Sequence, residues 1–271
     1  MPVPGGRVTL SVLGAEVELE PSAGGRIAAL RVDGLELLVT EGSSALDWGC
    51  YPMVPWAGRL RAGRLTYDGA IHEFPLTMPP HAIHGTTWDV PWDVVEIEPD
   101  EVTLAIPLGL PWPFGGRVIH RVELEPDGLR ATLEVHAGER PMPAIVGWHP
   151  WFRRRIWDDG DVEIDLPASG MLARGADGLP DGRVVEPPPG PWDDTFVGLV
   201  SPPVVRWPGA LEIAVRSSTE FWVVYDERET GVCVEPQTGP PNGLETGPFA
   251  TVAPGEPLVA TMTLAWRRLS G

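Results

Sequence analysis

Five short clusters along the chain carry groups able to do chemistry. In order they are Arg59 in P-W-A-G-R, His84 in H-A-I-H-G, His149 in G-W-H-P-W-F, Asp193 in W-D-D-T-F and Glu235 in V-E-P-Q-T-G-P-P-N. Each sets a titratable or cationic group beside proline, glycine or tryptophan. Together they offer a base, two candidate acids and two groups that can grip hydroxyls. That set suits proton transfer on a polar, uncharged ring such as a sugar.

Read one at a time, each cluster has a plainer alternative. Glu235 follows the apolar run Gly231-Val232-Cys233-Val234, which reads as a buried strand, and Pro236 removes a ladder donor and ends it. A carboxylate at a strand end can face a pocket or simply solvent. His149 lies between Trp148 and Pro150-Trp151-Phe152. A histidine there is either a buried structural residue or a functional one. The aromatics around it, Trp151 included, can pack on the C–H face of a sugar or fill the core. His81 and His84 form H-x-x-H, a spacing that invites a metal. Pro79, Pro80 and Gly85 oppose the helix this would need, and no neighbouring Cys or carboxylate completes a ligand set. Hydrogen bonding is the better reading, no metal is expected, and His81 reads as a loop residue. Arg59 presents a planar fork of donors, but Arg61 and Arg64 nearby are equally plausible surface arginines. Asp193 and Asp194 can both be solvated loop residues. Gln237 and Asn242 extend the Glu235 cluster.

Taken together, the five clusters resemble the aldose 1-epimerase (galactose mutarotase) family and its hexose-6-phosphate relatives. That family carries an arginine motif, H-G, H-P-Y-F, D-x-x-F and a late E-P-Q-like motif in this order, and the resemblance runs from about Arg59 to Asn242. It implies a large antiparallel β-sandwich with the sugar site on one sheet's open face. It also implies Glu235 as general base and His149 as general acid. His84 would polarise the sugar near its ring oxygen, or serve as the acid instead. Arg59, Asp193, Trp151 and Gln237 are the implied substrate-binding residues, and no cofactor is implied. Gly58 stands where asparagine is common, and Trp151 where tyrosine is usual.

The implied reaction is α/β anomer interconversion of an aldose by ring opening and closure. With unshifted values of about 4.3 for glutamate and about 6.5 for histidine, an ionised base and a protonated acid coexist only between them. Work near neutrality would need a neighbouring carboxylate to raise the histidine. Two other readings fit the same residues. Asp193 and Glu235 could flank a glycosidic bond as in a glycoside hydrolase, or the 12 tryptophans could build a non-catalytic carbohydrate-binding protein. Arg153, Arg154 and Arg155, or Arg61 and Arg64, offer material for a phosphate clamp. Adjacent residues of a strand point to opposite faces, and Asp193 would repel a phosphate, so a neutral aldose is expected.

Composition narrows the choice. The net charge of −18 argues against binding nucleic acid or an anionic membrane face. The chain contains no lysine, so its 20 basic residues are all arginine, which excludes Schiff-base, pyridoxal-phosphate and P-loop lysine chemistry. Its start, M-P-V-P-G-G-R-V, shows no secretory pattern, and no apolar run is long enough to span a bilayer. A cytoplasmic protein with Cys50 and Cys233 as reduced thiols is therefore expected.

Strands must position these groups. Val8/Leu10/Val12, Leu129 to Val135, Val162/Ile164/Leu166, Leu211/Ile213/Val215 and Leu258 to Trp266 alternate with polar or small neighbours, the period of half-buried strands. Turn chemistry recurs at Asp33-Gly34, Asp68-Gly69, Asp127-Gly128 and Asp177-Gly178. With 32 glycines and 32 prolines, long helices have little room. The pattern predicts one all-β antiparallel sandwich domain over residues 1–271, with residues 175–192 as a long surface loop.

Overall fold

A computed structural model of the chain describes residues 6–157 and 160–269. The first residues of the N-terminal stretch read for a secretory pattern lie outside that range. Alternation produces two large antiparallel sheets. The first has eleven strands, ten of them on a continuous path: Val8–Val12, Ala15–Glu20, Arg26–Val32, Cys50–Met53, Gly147–Arg153, Gly231–Gln237, Phe221–Tyr225, Asp193–Leu199, Ala168–Arg174 and Pro180–Val185. Leu35–Glu36 pairs beside Arg26–Val32. The second, of eight strands, runs from Asp93–Ile97 through Gly128–His136 and Leu258–Arg268 to Glu163–Asp165. Both contribute to one hydrophobic cluster.

The strand Gly147–Arg153 shows how period two divides its residues. Trp148 and Phe152 point into the space between the sheets. The Trp148 indole donates to Nε2 of His120 on the second sheet at 3.2 Å, and Phe152 meets Trp207 edge-on at 6.2 Å. His149 and Trp151 point the other way, onto the outer face. Short segments cover that face: the Arg59–Leu60 and Ala82–Ile83 pair, and the loop between Glu36 and Cys50.

Several turns fall where the sequence puts them. Asp33-Gly34 and Asp68-Gly69 have positive φ at both residues (49° and 83°, 50° and 74°), the geometry of two-residue hairpins. Two expectations need correction. At Asp127-Gly128 the turn centres on Pro126-Asp127, and Gly128 already pairs with Glu125. Residues 175–192 are not one loop. Gly178 (φ 76°) reverses the chain, and Pro180–Val185 returns along Ala168–Arg174 as an edge strand. Neither face of that strand is covered, so no alternation marks it in the sequence. Among the described residues no helix is long and apolar enough to cross a membrane; the helix Gly243–Thr246 is a single turn.

Candidate active site

Strand register alone gathers the central residues. Tyr51 pairs with His149. The pairings Gly147 with Gln237 and Trp151 with Cys233 set His149 opposite Glu235, and Glu235 pairs with Val223. One row across four adjacent strands is therefore Tyr51, His149, Glu235, Val223. The next row is Trp151, Cys233, Tyr225, Asp193. Side chains in both rows share the outer face because residues two apart along a strand do. Over them lies a cavity of about 270 Å³. All seven residues of the expected site line it: Arg59, His84, His149, Trp151, Asp193, Glu235 and Gln237.

Glu235 and His149 form its floor. Nε2 of His149 lies 3.2 Å from Oε1 of Glu235. The other carboxylate oxygen accepts from the Gln237 amide at 3.2 Å. Both residues are buried, and burial sets their protonation. Loss of hydration raises the Glu235 pKa well above the ordinary value, helped by nearby Asp193. It lowers His149 to about 3. The sequence reading needed a raised histidine; the structure shifts it the other way, because burial outweighs the raising effects of its own backbone and of Asp47. The imidazole is stacked against Tyr51, with centroids 4.8 Å apart and planes at 17°, and against Trp151, at 5.3 Å and 29°. Trp151 is thus part of the cavity wall, unlike Trp148 and Phe152.

The covering segments bring His84 and Arg59. The backbone N–H of His84 donates to Gly58 O at 3.0 Å, and Gly58 N–H donates back to Nδ1 of His84 at 3.3 Å. An accepting Nδ1 carries no proton, so the neutral ring holds its proton on Nε2. Burial, reinforced by His149 and Arg59, lowers this pKa well below the ordinary value. The ring meets His149 edge-on at 5.0 Å. Gly85 follows at φ 81°, where an added Cβ would sit 1.9 Å from Val54 O. Gly58 is also left-handed (φ 69°), with Pro241 only 2.8 Å from where its Cβ would lie. Glycine suits that conformation, and the close approach of Pro241 leaves no room for an asparagine Cβ in this chain.

Arg59 reaches across the cavity and donates to Asp193 at 3.0 Å. Arg174 approaches the same oxygen at 3.5 Å and binds Asp194 at 2.9 Å. Asp193 lines the cavity; Asp194 does not. Asn242 has a structural role: its N–H donates to Arg59 O at 2.7 Å and its side-chain oxygen accepts from Arg61 N–H at 2.9 Å. His81 is a loop residue whose Nδ1 accepts from Ala62 N–H at 3.3 Å while Nε2 faces Asp177 O at 3.2 Å. The Nδ1 atoms of both histidines are thus committed to backbone N–H groups. A different trio, His149, Cys233 and Glu235, brings ligand atoms within 4.8 Å of one another.

Sequence reasoning missed Tyr51, Arg174 and the pair Asp47–Arg228, joined at 3.1 Å on the cavity wall. No short motif marks them. Tyr51 could have been found only from its register with His149, which requires the strand pairing first.

Comparison with known proteins places this geometry. The aldose 1-epimerase family profile matches residues 14–200. An uncharacterised Escherichia coli (strain K12) protein, YphB, is 30% identical over 113 residues, covering 40% of this chain and 38% of that protein. The chain therefore spans well under half the length of this curated relative. Among solved structures, a putative aldose 1-epimerase from Escherichia coli K12 superposes with a TM-score of 0.85 at 23% identity, covering 97% of this chain and 99% of that one. A galactose mutarotase-like protein from Clostridium acetobutylicum gives 0.87 at 17% identity over 98% and 96%. Galactose 1-epimerase from Lactobacillus acidophilus NCFM gives 0.80 at 18% over 97% and 94%. These likenesses share the two-sheet fold, and the profile match covers more than half of the sequence: the chain belongs to the aldose 1-epimerase family.

Proposed function

We propose that the protein interconverts the α and β anomers of a neutral aldose. The observation that carries this reading is the buried contact between Nε2 of His149 and Oε1 of Glu235 on the floor of a cavity of about 270 Å³. That volume is small among ligand pockets and suits a monosaccharide. Glu235 takes the proton from the anomeric hydroxyl, and His149 delivers one to the ring oxygen as the C1–O5 bond breaks. The open chain rotates about C1–C2. On closure His149 recovers its proton from the O5 hydroxyl, and Glu235 returns one to O1 on the other face. The chemistry needs one proton on the pair; burial leaves it on Glu235, and its transfer across the 3.2 Å contact to His149 frees the carboxylate for the anomeric proton and arms the imidazole.

His84 acts beside them as a hydrogen-bond donor through Nε2. Burial holds both imidazoles neutral, and His149 is the better proton carrier because it alone lies against Glu235, at 3.2 Å, and can share that group's proton. Arg59 and Asp193, fixed by their mutual contact, present a donor and an acceptor to adjacent hydroxyls. Trp151 walls the site, and Gln237 orients the Glu235 carboxylate. Arg59 and Arg174 both engage Asp193, which suits a fixed hydroxyl acceptor rather than a proton donor aimed at a glycosidic oxygen.

A neutral sugar is favoured because four of the five candidate clamp arginines are engaged elsewhere and the fifth, Arg64, does not line the cavity. Arg153 donates to Leu38 O, Arg154 to the carbonyls of Asp226 and Arg228, Arg155 to Asp161 and Arg61 to Asp177. The cavity wall carries Asp47, Asp193, Glu227 and Glu235. Anomer exchange followed by NMR across a panel of aldoses and their 6-phosphates tests this. Neutral aldoses should turn over with the higher kcat/KM. A tenfold preference for the phosphate, shrinking as salt rises, would overturn the substrate assignment.

A further inference from the structure

We propose that His149, Cys233 and Glu235 form a binding site for one borderline-soft divalent cation, of the zinc or cadmium type, whose occupancy blocks the sugar cavity. Cys233 and Glu235 are two residues apart on the Gly231–Gln237 strand and so share its outer face. His149 comes from the neighbouring strand, opposite Glu235. All three are buried, and their ligand atoms lie within 4.8 Å of one another. Tetrahedral zinc with bonds of roughly 2.0–2.3 Å holds its ligand atoms roughly 3.3–3.6 Å apart. The nitrogen and carboxylate oxygen are already 3.2 Å apart, so small side-chain shifts close the set.

The donors fit this metal class. A thiol, an imidazole and a carboxylate select zinc-like ions over calcium or magnesium, which take oxygen alone. As the metal binds, the Cys233 S–H proton and the one proton held by the His149–Glu235 pair both leave to water; no oxidant or reductant is involved. His149 and Glu235 both line the cavity, whereas Cys233 lies beneath it. A cation therefore enters from the sugar side and leaves its fourth position facing the cavity. It engages the base and acid assigned above, so it must inhibit; that consequence rests on the proposed reaction, but capture of the ion does not.

The test uses the full-length protein, stripped with EDTA and dialysed, then titrated with cadmium chloride. One equivalent should produce a thiolate-to-metal charge-transfer band. Cys50 faces the other side of its sheet, opposite Pro150, so Cys50→Ala should retain the band. Cys233→Ser and Cys233→Ala should both lose it. Glu235→Gln, which leaves the thiol in place, should weaken binding at least tenfold. Inhibition of anomer exchange, scaled to each variant's own metal-free rate, should need at least tenfold more cadmium in either Cys233 variant. Absence of the band in the wild-type protein, or a band that follows Cys50, overturns the site. A band without inhibition leaves the metal site standing and counts against the roles assigned to His149 and Glu235.

Discussion

Tyr51 and His149 stand directly opposite each other on adjacent strands, with rings 4.8 Å apart and nearly parallel. The Tyr51 hydroxyl donates to Leu46 O at 3.2 Å, and the Trp151 indole N–H donates to the same carbonyl at 2.7 Å. Both rings that stack on the imidazole thus hang from one backbone oxygen. His149 is located by packing, since its Nδ1 is buried without a hydrogen-bond partner.

Loosening that clamp should reduce turnover more than binding. Tyr51→Phe removes one hydrogen bond, worth about 0.5–1.5 kcal/mol, and keeps the stack. Its kcat should fall by about threefold to tenfold with KM little changed. Tyr51→Leu removes the ring and should cost more than tenfold. A Tyr51→Leu enzyme with wild-type kcat would show that the ring does not position His149.

The pH profile carries the imprint of burial. The active pair holds one proton, so activity is lost when a second proton binds or when that one leaves. The second binds His149, whose pKa is lowered to about 3, so the acid limb should fall near 3. The last leaves with the raised Glu235 pKa, so the alkaline limb should lie well above the ordinary glutamate range of about 4.3. A plot of kcat/KM against pH at constant ionic strength checks this. A narrow bell between about 4.3 and about 6.5 would mean that neither group is shifted.

The all-β sandwich and the seven expected residues that line the cavity were legible in the sequence, while the strand register that gathers those residues was not. Prolines and glycines made the five clusters visible because the backbone needs them: Gly85 lets the chain pass Val54 O, and Pro236 follows the base where its strand nears its end. Half-buried strands were legible from alternation. Gly147–Arg153 is buried on both faces, so periodicity could not tell which aromatics face the cavity. Arg174 was invisible for a different reason. It reaches Asp193 and Asp194 from a separate strand, and nothing local records that contact.

Two glycines should respond differently to alanine. At Gly85 both the positive φ and the 1.9 Å approach to Val54 O oppose a side chain. Gly85→Ala should therefore destabilise by about 2–4 kcal/mol. Gly69 has φ 74° with nothing within 4 Å of the new methyl, so Gly69→Ala should cost only about 1 kcal/mol. Urea denaturation midpoints compare them, and equal shifts would contradict the steric argument.

Proton transfer by side chains requires no metal. Prolonged EDTA treatment should leave anomer exchange undiminished, and should relieve any inhibition by zinc-like ions. Activity lost to EDTA and restored by one specific divalent ion would contradict the acid–base scheme.

The most direct measurement is anomer exchange by Glu235→Gln with a neutral aldose, followed by polarimetry or NMR. Glutamine keeps the shape and the contacts to His149 and Gln237 but cannot take the proton. General-base catalysis typically contributes about 10²–10⁴-fold, and the rate should fall by that much while the sugar still binds. Turnover within a few-fold of wild type would contradict the assignment and move the base elsewhere in the cavity, to Asp193 first.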